Sequence, residues 1–248
     1  PVREVLVHGF PKLCAVLEAV VEKLSKRLTA RKASCIDEKY LQQLLDACAA
    51  VRSVSVARSV KNVMEVVDVV FPRSSRAVPS AADIQKLVGI FHEEMKQAEV
   101  SNHTRSLAAN TIADAVLSVC DRAQALASTG PELRAFSDGC NAAQLRNISL
   151  SSNLQEVHRS LVAVILKLDQ RGVDLLVPAC DTLKGAALEL IAPMFKSFVE
   201  SLEQLILSMH ALPAWRLQRS DGFVEGRPSG FVNDLRGRLR TFKIGRAS

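Results

Sequence analysis

The chain has 248 residues, of which 48% are hydrophobic, 23% charged and 4% aromatic, a balance that excludes a disordered chain and allows a sizeable core. With few aromatic side chains, the core has to be built from Leu, Val and Ala, which suits helix packing and leaves little material for stacking nucleic-acid bases. Most of the net charge of +6 lies in residues 211–248, so the nearly neutral remainder offers no basic stripe for phosphate and excludes nucleic acid as a partner.

Helical periodicity dominates the chain, because apolar residues recur at the i, i+3, i+4, i+7 spacing of one helix face. The predicted helices span residues 12–29, 37–71, 81–99, 102–127, 142–168 and 178–210. No stretch shows the sustained period-2 alternation of a strand, so a sheet has nothing to be built from. The predicted fold class is therefore all-α, an elongated antiparallel bundle or array of helices with short connections.

Local signals set the expected ends of the first three helices. Pro11 stands where the first turn of a helix tolerates proline. Asp37 is the expected N-cap of the second helix, with a break in that helix near Ser53. Ser80 and Asp83 have the spacing of a capping box that opens the third helix. These signals predict where the helices begin, but they do not predict how the helices pack against one another.

Two further signals concern the fourth and sixth helices. Ser101 and Asn102 are the expected cap of the fourth helix. Pro193 lies inside a continuous apolar stripe of the sixth helix, and because proline lacks an amide donor, we expect a kink there.

The predicted domain organisation is one helical domain over residues 1–210, with 72–80 as the place where it would subdivide, and a basic Gly/Arg-rich irregular tail over 211–248. The start of the chain, Pro1, carries neither an initiator Met nor a charged-then-apolar leader, so we expect a fragment or processed chain without a signal peptide. No apolar run has the length of a membrane span. The six cysteines are scattered without a C-x-x-C pair, and we expect reduced, buried thiols.

No catalytic signature is present in the sequence. Phosphate-binding glycine loops and the nucleophile-elbow motif are missing. The segment from His92 begins like a zinc-binding helix but has Lys96 where the second histidine ligand would stand. Glu93 and Glu94 form an acidic pair that we interpret as charge on a solvated helix face. The sequence therefore predicts a protein that is not an enzyme and that holds no cofactor or metal.

A short basic segment near the end of the chain is the candidate site for contact with a membrane or partner. Its basic residues are Arg236, Arg238, Arg240 and Lys243. They lie beside apolar residues at i, i+4, i+8 and i+11, namely Phe231, Leu235, Leu239 and Phe242. That pattern is typical of a basic amphipathic helix on an anionic membrane surface. The alternative is a frayed tail or the start of a truncated helix, which Gly230, Gly237 and the nearness of the chain end favour.

The order and spacing of several landmarks resemble a known family. Asp37-Glu38-Lys39 opens a run that closes with Val69-Val70-Phe71-Pro72, and Pro79-Ser80 begins the next. The later landmarks are Ala143-Gln144-Leu145-Arg146-Asn147, Ala192-Pro193-Met194 and the ending Ile206-Leu207-Ser208-Met209-His210. Together they are similar to the C-terminal half of the family of subunit 5 of the conserved oligomeric Golgi complex.

The resemblance implies a stacked-helix protein of the tethering-complex type, non-catalytic, at the cytoplasmic side of the Golgi membrane. It implies binding to sister subunits, particularly the seventh, and a role in retrograde vesicle transport within the Golgi. SNARE and Rab proteins and peripheral contact with the membrane are further implied partners. The competing interpretation from the sequence is a generic helical adaptor or scaffold unrelated to Golgi tethering.

Overall fold

A computed structural model describes residues 2–30, 43, 46–135, 140–166, 168–211 and 236–237. In chain order its α-helices are α1 (Val2–Ala30), α2 (Ala49–Val70), α3 (Ala81–Ala98), α4 (Asn102–Leu126), α5 (Ala142–Ile165) and α6 (Gln170–Ala211). A 3-10 helix, Pro131–Arg134, lies between α4 and α5. The described residues contain no strand. The predicted all-α class is therefore confirmed.

The chain forms two compact units. Unit 1 comprises Pro1–Leu126 and Ser152–Ala186, and unit 2 comprises Ala127–Ser151 and Ala187–Ser248. Helices α5 and α6 each contribute residues to both units. The predicted boundary between a helical domain and a tail at residue 210 stays a prediction, because residues 212–235 and 238–248 lie outside the described part of the chain.

Unit 1 is built around α2, which contacts α1, α3 and α4. Its buried apolar side chains include Val63 and Val67 of α2, Leu87 and Phe91 of α3, and Ile112 and Val116 of α4. A buried arginine of α4, Arg122, closes the C-terminal end of α2, because its guanidinium donates to the carbonyl of Phe71 at 2.9 Å and to that of Val67 at 3.3 Å. The Val67 carbonyl also accepts a hydrogen bond from the backbone N–H of Phe71 at 2.8 Å, so the guanidinium adds a second donor there and gives the Phe71 carbonyl, at the helix end, a charged donor.

Unit 2 is organised by three buried polar side chains on one face of α5. Gln144 donates to the carbonyls of Leu133 and Ala135, at 3.1 and 2.9 Å. Asn147 donates to the carbonyl of Leu190 at 3.0 Å, and Ser151 donates to that of Ala187 at 2.8 Å. The later residue of α5 contacts the earlier residue of α6, so the two helices are antiparallel here. Buried polar groups that are hydrogen-bonded in this way fix the register of the helices they join.

The start of α1 differs from the prediction. The helix begins at Val2, so that Pro11 lies in its interior instead of its first turn. An interior proline removes one backbone hydrogen bond. Phe10 and Cys14, on either side of the proline, are both buried in one apolar cluster with Leu17. This packing holds the helix together across the proline, and the expectation of a helix starting at residue 12 is wrong.

The break predicted near Ser53 is also misplaced. Cys48, with φ of −90° and ψ of 11°, precedes α2, and the helix then runs unbroken through Ser53. The hydroxyl of Ser53 donates to the carbonyl of Ala50 at 2.9 Å, a local bond that a helix accommodates. The expected N-cap at Asp37 lies outside the described residues.

Helix α6 begins earlier than predicted, at Gln170 and not at Pro178. The carboxylate of Asp169 accepts a hydrogen bond from the backbone N–H of Gly172 at 3.2 Å, and this places the N-cap at Asp169. The helix then continues through Pro178 and Pro193 to Ala211. The kink expected at Pro193 stays a prediction.

Two predicted caps are confirmed. Ser80 and Asp83 form a complete capping box at the start of α3. Ser101 precedes α4, and its hydroxyl accepts a hydrogen bond from the backbone N–H of Thr104 at 3.4 Å. Both signals are local in the sequence, and for that reason they could be predicted. The loop predicted at 72–80 also lies outside any helix.

Candidate interaction surface

The segment around His92 lies within the described part of α3. His92 lies on α3 with its Nδ1 atom 2.9 Å from the carbonyl oxygen of Val88, a contact within its own helix. Across the described residues, no group of three or more His, Cys, Asp or Glu side chains is placed to hold a metal ion. In the same part of the chain, no helix combines the length and the apolar character needed to cross a bilayer.

The acidic pair on α3 does not lie on one solvated face. Glu93 is exposed and accepts a hydrogen bond from Gln97 at 3.1 Å. Glu94 is only 7% exposed, and its carboxylate accepts a hydrogen bond from the hydroxyl of Ser59 on α2. Neighbouring residues on a helix point about 100° apart, which turns Glu94 towards α2 while Glu93 faces solvent. The predicted solvated pair is therefore wrong for Glu94.

Glu94 lines an open cleft in unit 1 with a volume of about 410 Å³. Helices α1, α2, α3 and α4 all contribute to its walls. Apolar side chains line much of it, among them Phe10, Val56, Leu107 and Ala108. The exposed Lys12 and Arg58 also border the cleft. The cleft therefore combines an apolar lining, a buried carboxylate and two basic side chains.

Helix α1 carries three exposed apolar side chains, Val16, Val20 and Leu24, at i, i+4 and i+8. We call these residues the α1 face. On a regular helix, Lys23 and Arg27 project within about 20° of the direction of Val16. Both of these charged residues are exposed. Charges therefore interrupt the apolar surface of the α1 face.

Helix α6 carries a longer apolar surface, in unit 2. Leu188, Phe195, Val199 and Ile206 are between 47% and 52% exposed, and we call these residues the α6 face. Their spacing of i, i+7, i+11 and i+18 brings them within about 20° of one line along the helix. No charged residue from 188 to 206 projects within about 40° of that line; Ala192 and Leu202 do. The α6 face is therefore continuous and uncharged along more than four turns.

A second apolar stripe of α6 lies about 80–160° round the helix from the α6 face. In it, Leu190 and Met194 are buried, and Phe198 and Leu205 are half-buried. Periodicity predicts this buried stripe. It does not indicate that the α6 face is exposed, because both stripes have helical spacing. A helix that is apolar on both sides is typical of a buried environment. The α6 face is thus the strongest candidate for an interaction surface in the described residues.

Of the four basic residues predicted near the chain end, the structure describes only Arg236. It is exposed and helical, next to Gly237. Arg238, Arg240 and Lys243 lie outside the described residues. The predicted basic cluster stays a prediction.

Two known proteins are similar to this chain over most of its length. The chain is 25% identical over 244 residues to a protein of Arabidopsis thaliana named conserved oligomeric Golgi complex subunit 5, and the match covers 98% of this chain. It is 19% identical over 232 residues, 92% of its length, to the protein of the same name from Mus musculus. The predicted resemblance to subunit 5 of the conserved oligomeric Golgi complex is confirmed.

The match covers nearly all of this chain but only 29% and 28% of the two subunit 5 relatives. The chain therefore spans less than a third of the length of either relative. No family model matches the sequence. No solved structure matches the chain either.

Proposed function

We propose that the chain is part of a non-catalytic subunit of a Golgi vesicle-tethering complex. In this role it binds sister subunits and supports retrograde vesicle transport within the Golgi. The observation that carries the proposal is the similarity of 98% of the chain to a protein named conserved oligomeric Golgi complex subunit 5. An all-helical fold with an exposed apolar helix face is consistent with a role in assembly.

The α6 face is the surface through which we propose that the chain binds a helix of a sister subunit. Exposed apolar side chains on one line of a helix suit the packing of a second helix along it. Burial of Leu188, Val199 and Ile206 would remove from water side chains that are about half exposed. The α1 face is a weaker candidate, since Lys23 and Arg27 would have to be desolvated with it.

The seventh subunit is the sister subunit that we propose as the first partner to test, with SNARE and Rab proteins as further partners. We place the chain on the cytoplasmic side of the Golgi membrane, held there mainly by protein contacts. The basic residues Arg236, Arg238, Arg240 and Lys243 would add membrane attraction of at most about 4 kcal/mol, at roughly 1 kcal/mol each before ordering costs. That attraction is too weak to anchor the chain alone.

A tagged chain expressed in cells tests the proposal by its recovery of sister subunits from lysate. A variant with all four basic residues replaced by Gln is expected to recover the same subunits while binding less to anionic liposomes. If the wild-type chain recovers no sister subunit, the chain is a helical adaptor of another system. If the Gln variant keeps its fold but loses its partners, the basic segment is the interface, and the assignment to the α6 face is wrong.

A further inference from the structure

The α6 face has charged residues along only one of its two borders. Every charged residue between residues 188 and 206 is exposed. On a regular helix these residues project about 60–120° from the line of the α6 face, all in the same rotational sense. All but Lys196 are acidic, and we call this border the acidic edge: Glu189, Lys196, Glu200 and Glu203. A helix that covers the α6 face would therefore be favoured by basic residues along one of its own borders.

A stretch of the chain itself, residues 231–243, has the sequence of such a helix, and we call it the 231–243 segment. On a regular helix its apolar residues lie within about 40° of one line: Phe231, Leu235, Leu239 and Phe242. The structure describes Arg236 and Gly237 of this segment, and both are helical and exposed. Both would project at least about 100° from the apolar line, which agrees with their exposure. The segment would thus present its apolar line to the α6 face while these two residues face solvent.

The basic residues of the 231–243 segment also favour one border. Arg236, Arg240 and Lys243 would project about 80–140° from the apolar line, in the same rotational sense as the acidic edge does from the α6 face. On the other border, Asp234 and Arg238 have opposite charges. In an antiparallel pair of helices, borders of the same rotational sense lie on the same side, whereas in a parallel pair they lie on opposite sides. Antiparallel packing would therefore bring the basic border to the acidic edge.

The chain has the length that this arrangement needs. Helix α6 ends at Ala211, and residues 212–230 would span up to about 60 Å when extended. The α6 face is about 27 Å long, and a helix over residues 231–243 would be about 20 Å long. The segment and the α6 face both belong to unit 2. A chain that turns back after α6 would approach the face in the antiparallel direction.

We propose that the 231–243 segment packs on the α6 face as an antiparallel helix, and that a sister subunit has to displace it. The docking of the segment stands on the two apolar lines and the opposite charges of their borders. The displacement rests on the proposed function, because it requires a sister subunit to bind the same face. Displacement would also free Arg236, Arg240 and Lys243 for anionic lipid, so that subunit binding promotes membrane contact.

A single tryptophan on the α6 face reports whether the segment covers it. Trp215 is the only tryptophan of the chain, so Phe195→Trp in a Trp215→Phe background provides this reporter. Quenching by acrylamide measures its contact with solvent. Adding Leu235→Ser/Leu239→Ser/Phe242→Ser should raise the quenching constant at least about twofold, because the apolar contacts of the segment are lost. The matched control Val16→Trp reports the α1 face in unit 1 and should not change.

The charges test the direction of packing. The triple reversal Arg236→Glu/Arg240→Glu/Lys243→Glu should raise the quenching constant by a similar factor, while Arg238→Glu on the other border should have little effect. Adding Glu200→Lys/Glu203→Lys to the triple reversal should restore the low quenching constant, because the pairs form again with exchanged signs. The two glutamates are exposed, so the fold is expected to remain, and circular dichroism checks this.

Three results would overturn the docking of the segment. The first is an equal quenching constant with and without the three Ser substitutions. The second is a quenching constant that rises when the chain is diluted, which would assign the α6 face to a second copy. The third is an effect of Arg238→Glu as large as that of the triple reversal.

Recovery of sister subunits from cells separates this inference from the proposed function. Leu235→Ser/Leu239→Ser/Phe242→Ser is expected to recover at least about threefold more of a sister subunit than the wild type, because the face no longer has to be freed first. Unchanged recovery with a covered face would refute the displacement. If the wild type and this variant both recover no sister subunit, the proposed function fails, while the quenching constants still decide the docking of the segment.

Discussion

The Oε1 atom of Glu18 on α1 accepts a hydrogen bond from the backbone N–H of His103 on α4, at 3.0 Å. The hydroxyl of Ser101 donates to the same oxygen at 2.8 Å, and the N–H of Asn102 donates to Oε2 at 3.3 Å. The first N–H groups of a helix have no partner within it, and the helix dipole favours negative charge there. Glu18 thus caps a helix from 83 residues away and joins α1 to α4.

Replacing Glu18 by Gln is expected to lower the free energy of unfolding by roughly 1–2 kcal/mol, the range found for the loss of a helix cap. Glutamine keeps one acceptor oxygen but loses the charge. The measurement is urea unfolding followed by circular dichroism. The matched control is Glu22→Gln on the same helix, where the exposed carboxylate pairs with Lys26 and its loss should have little effect. Equal effects of the two changes would contradict the capping role.

Arg122→Met tests the end of α2. The guanidinium of Arg122, whose residue is 9% exposed, donates to the carbonyls of Val67 and Phe71 and to the carboxylate of Asp68. Methionine keeps the apolar stem but leaves the Phe71 carbonyl without this donor, so we expect a loss of roughly 2–3 kcal/mol in the free energy of unfolding. The control Arg159→Met removes an exposed pair with Glu156 and should change much less. Similar losses would argue against the role of Arg122.

Stability is expected to fall at acidic pH through His103. Burial and then the nearby Arg52 lower the pKa of His103 below its usual 6.5, against the opposing effects of Glu18 and Asp46. Among the residues that the structure describes, the buried Nε2 atom of His103 has no hydrogen-bond partner, so a proton on it would have no acceptor there. Because the unfolded state binds the proton more readily, stability is full above pH 6.5 and declines as pH falls through the lowered pKa.

The pH dependence is measured by urea unfolding between about pH 7.5 and 5. His103→Gln should lose less stability on acidification than the wild type. His158→Gln, on α5, serves as the control and should behave like the wild type. An unchanged pH dependence in His103→Gln would assign the acid sensitivity to other groups.

The cysteine thiols should fall into two groups that react with a disulfide reagent at different rates. Burial raises the pKa of Cys14, Cys120 and Cys180 to about 11 each. Cys48 and Cys140 are half-buried free thiols. Only the thiolate reacts with a disulfide reagent. In a Cys35→Ser background at pH 8, we expect Cys48 and Cys140 to react at least about tenfold faster than the buried three. Rates should become alike in urea. Equal rates in the native protein would show that the three sites open readily.

Local signals predicted the fold class and several caps, because a capping residue and its partner lie within one turn of sequence. The start of α1 was misjudged, since packing of Phe10 and Cys14 around Pro11 depends on residues far along the chain. The burial of Glu94 does have a signal in the sequence. It follows Phe91 by three residues and precedes Ala98 by four, which places it on the buried side of α3.

The two apolar sides of α6 show a further limit of sequence periodicity. Met194 and Phe195 are adjacent, yet Met194 is buried and Phe195 is 48% exposed. Both belong to stripes with helical spacing, so the sequence does not distinguish a core face from an exposed one. The contacts of Asn147 and Ser151 with the backbone of α6 select which side faces α5 in unit 2. Those contacts join residues distant in sequence and were visible only in the structure.

Binding of a sister subunit to the α6 face can be measured by the recovery of sister subunits from cells. We compare the wild-type chain with Leu188→Ser/Val199→Ser/Ile206→Ser and with a matched control on the α1 face, Val16→Ser/Val20→Ser/Leu24→Ser. Circular dichroism establishes that both variants remain helical. We expect the α6 variant to recover roughly tenfold less, or lower still, of the seventh or another sister subunit, and the control to lose none. Undiminished recovery by a folded α6 variant, or an equal loss in both variants, would contradict it.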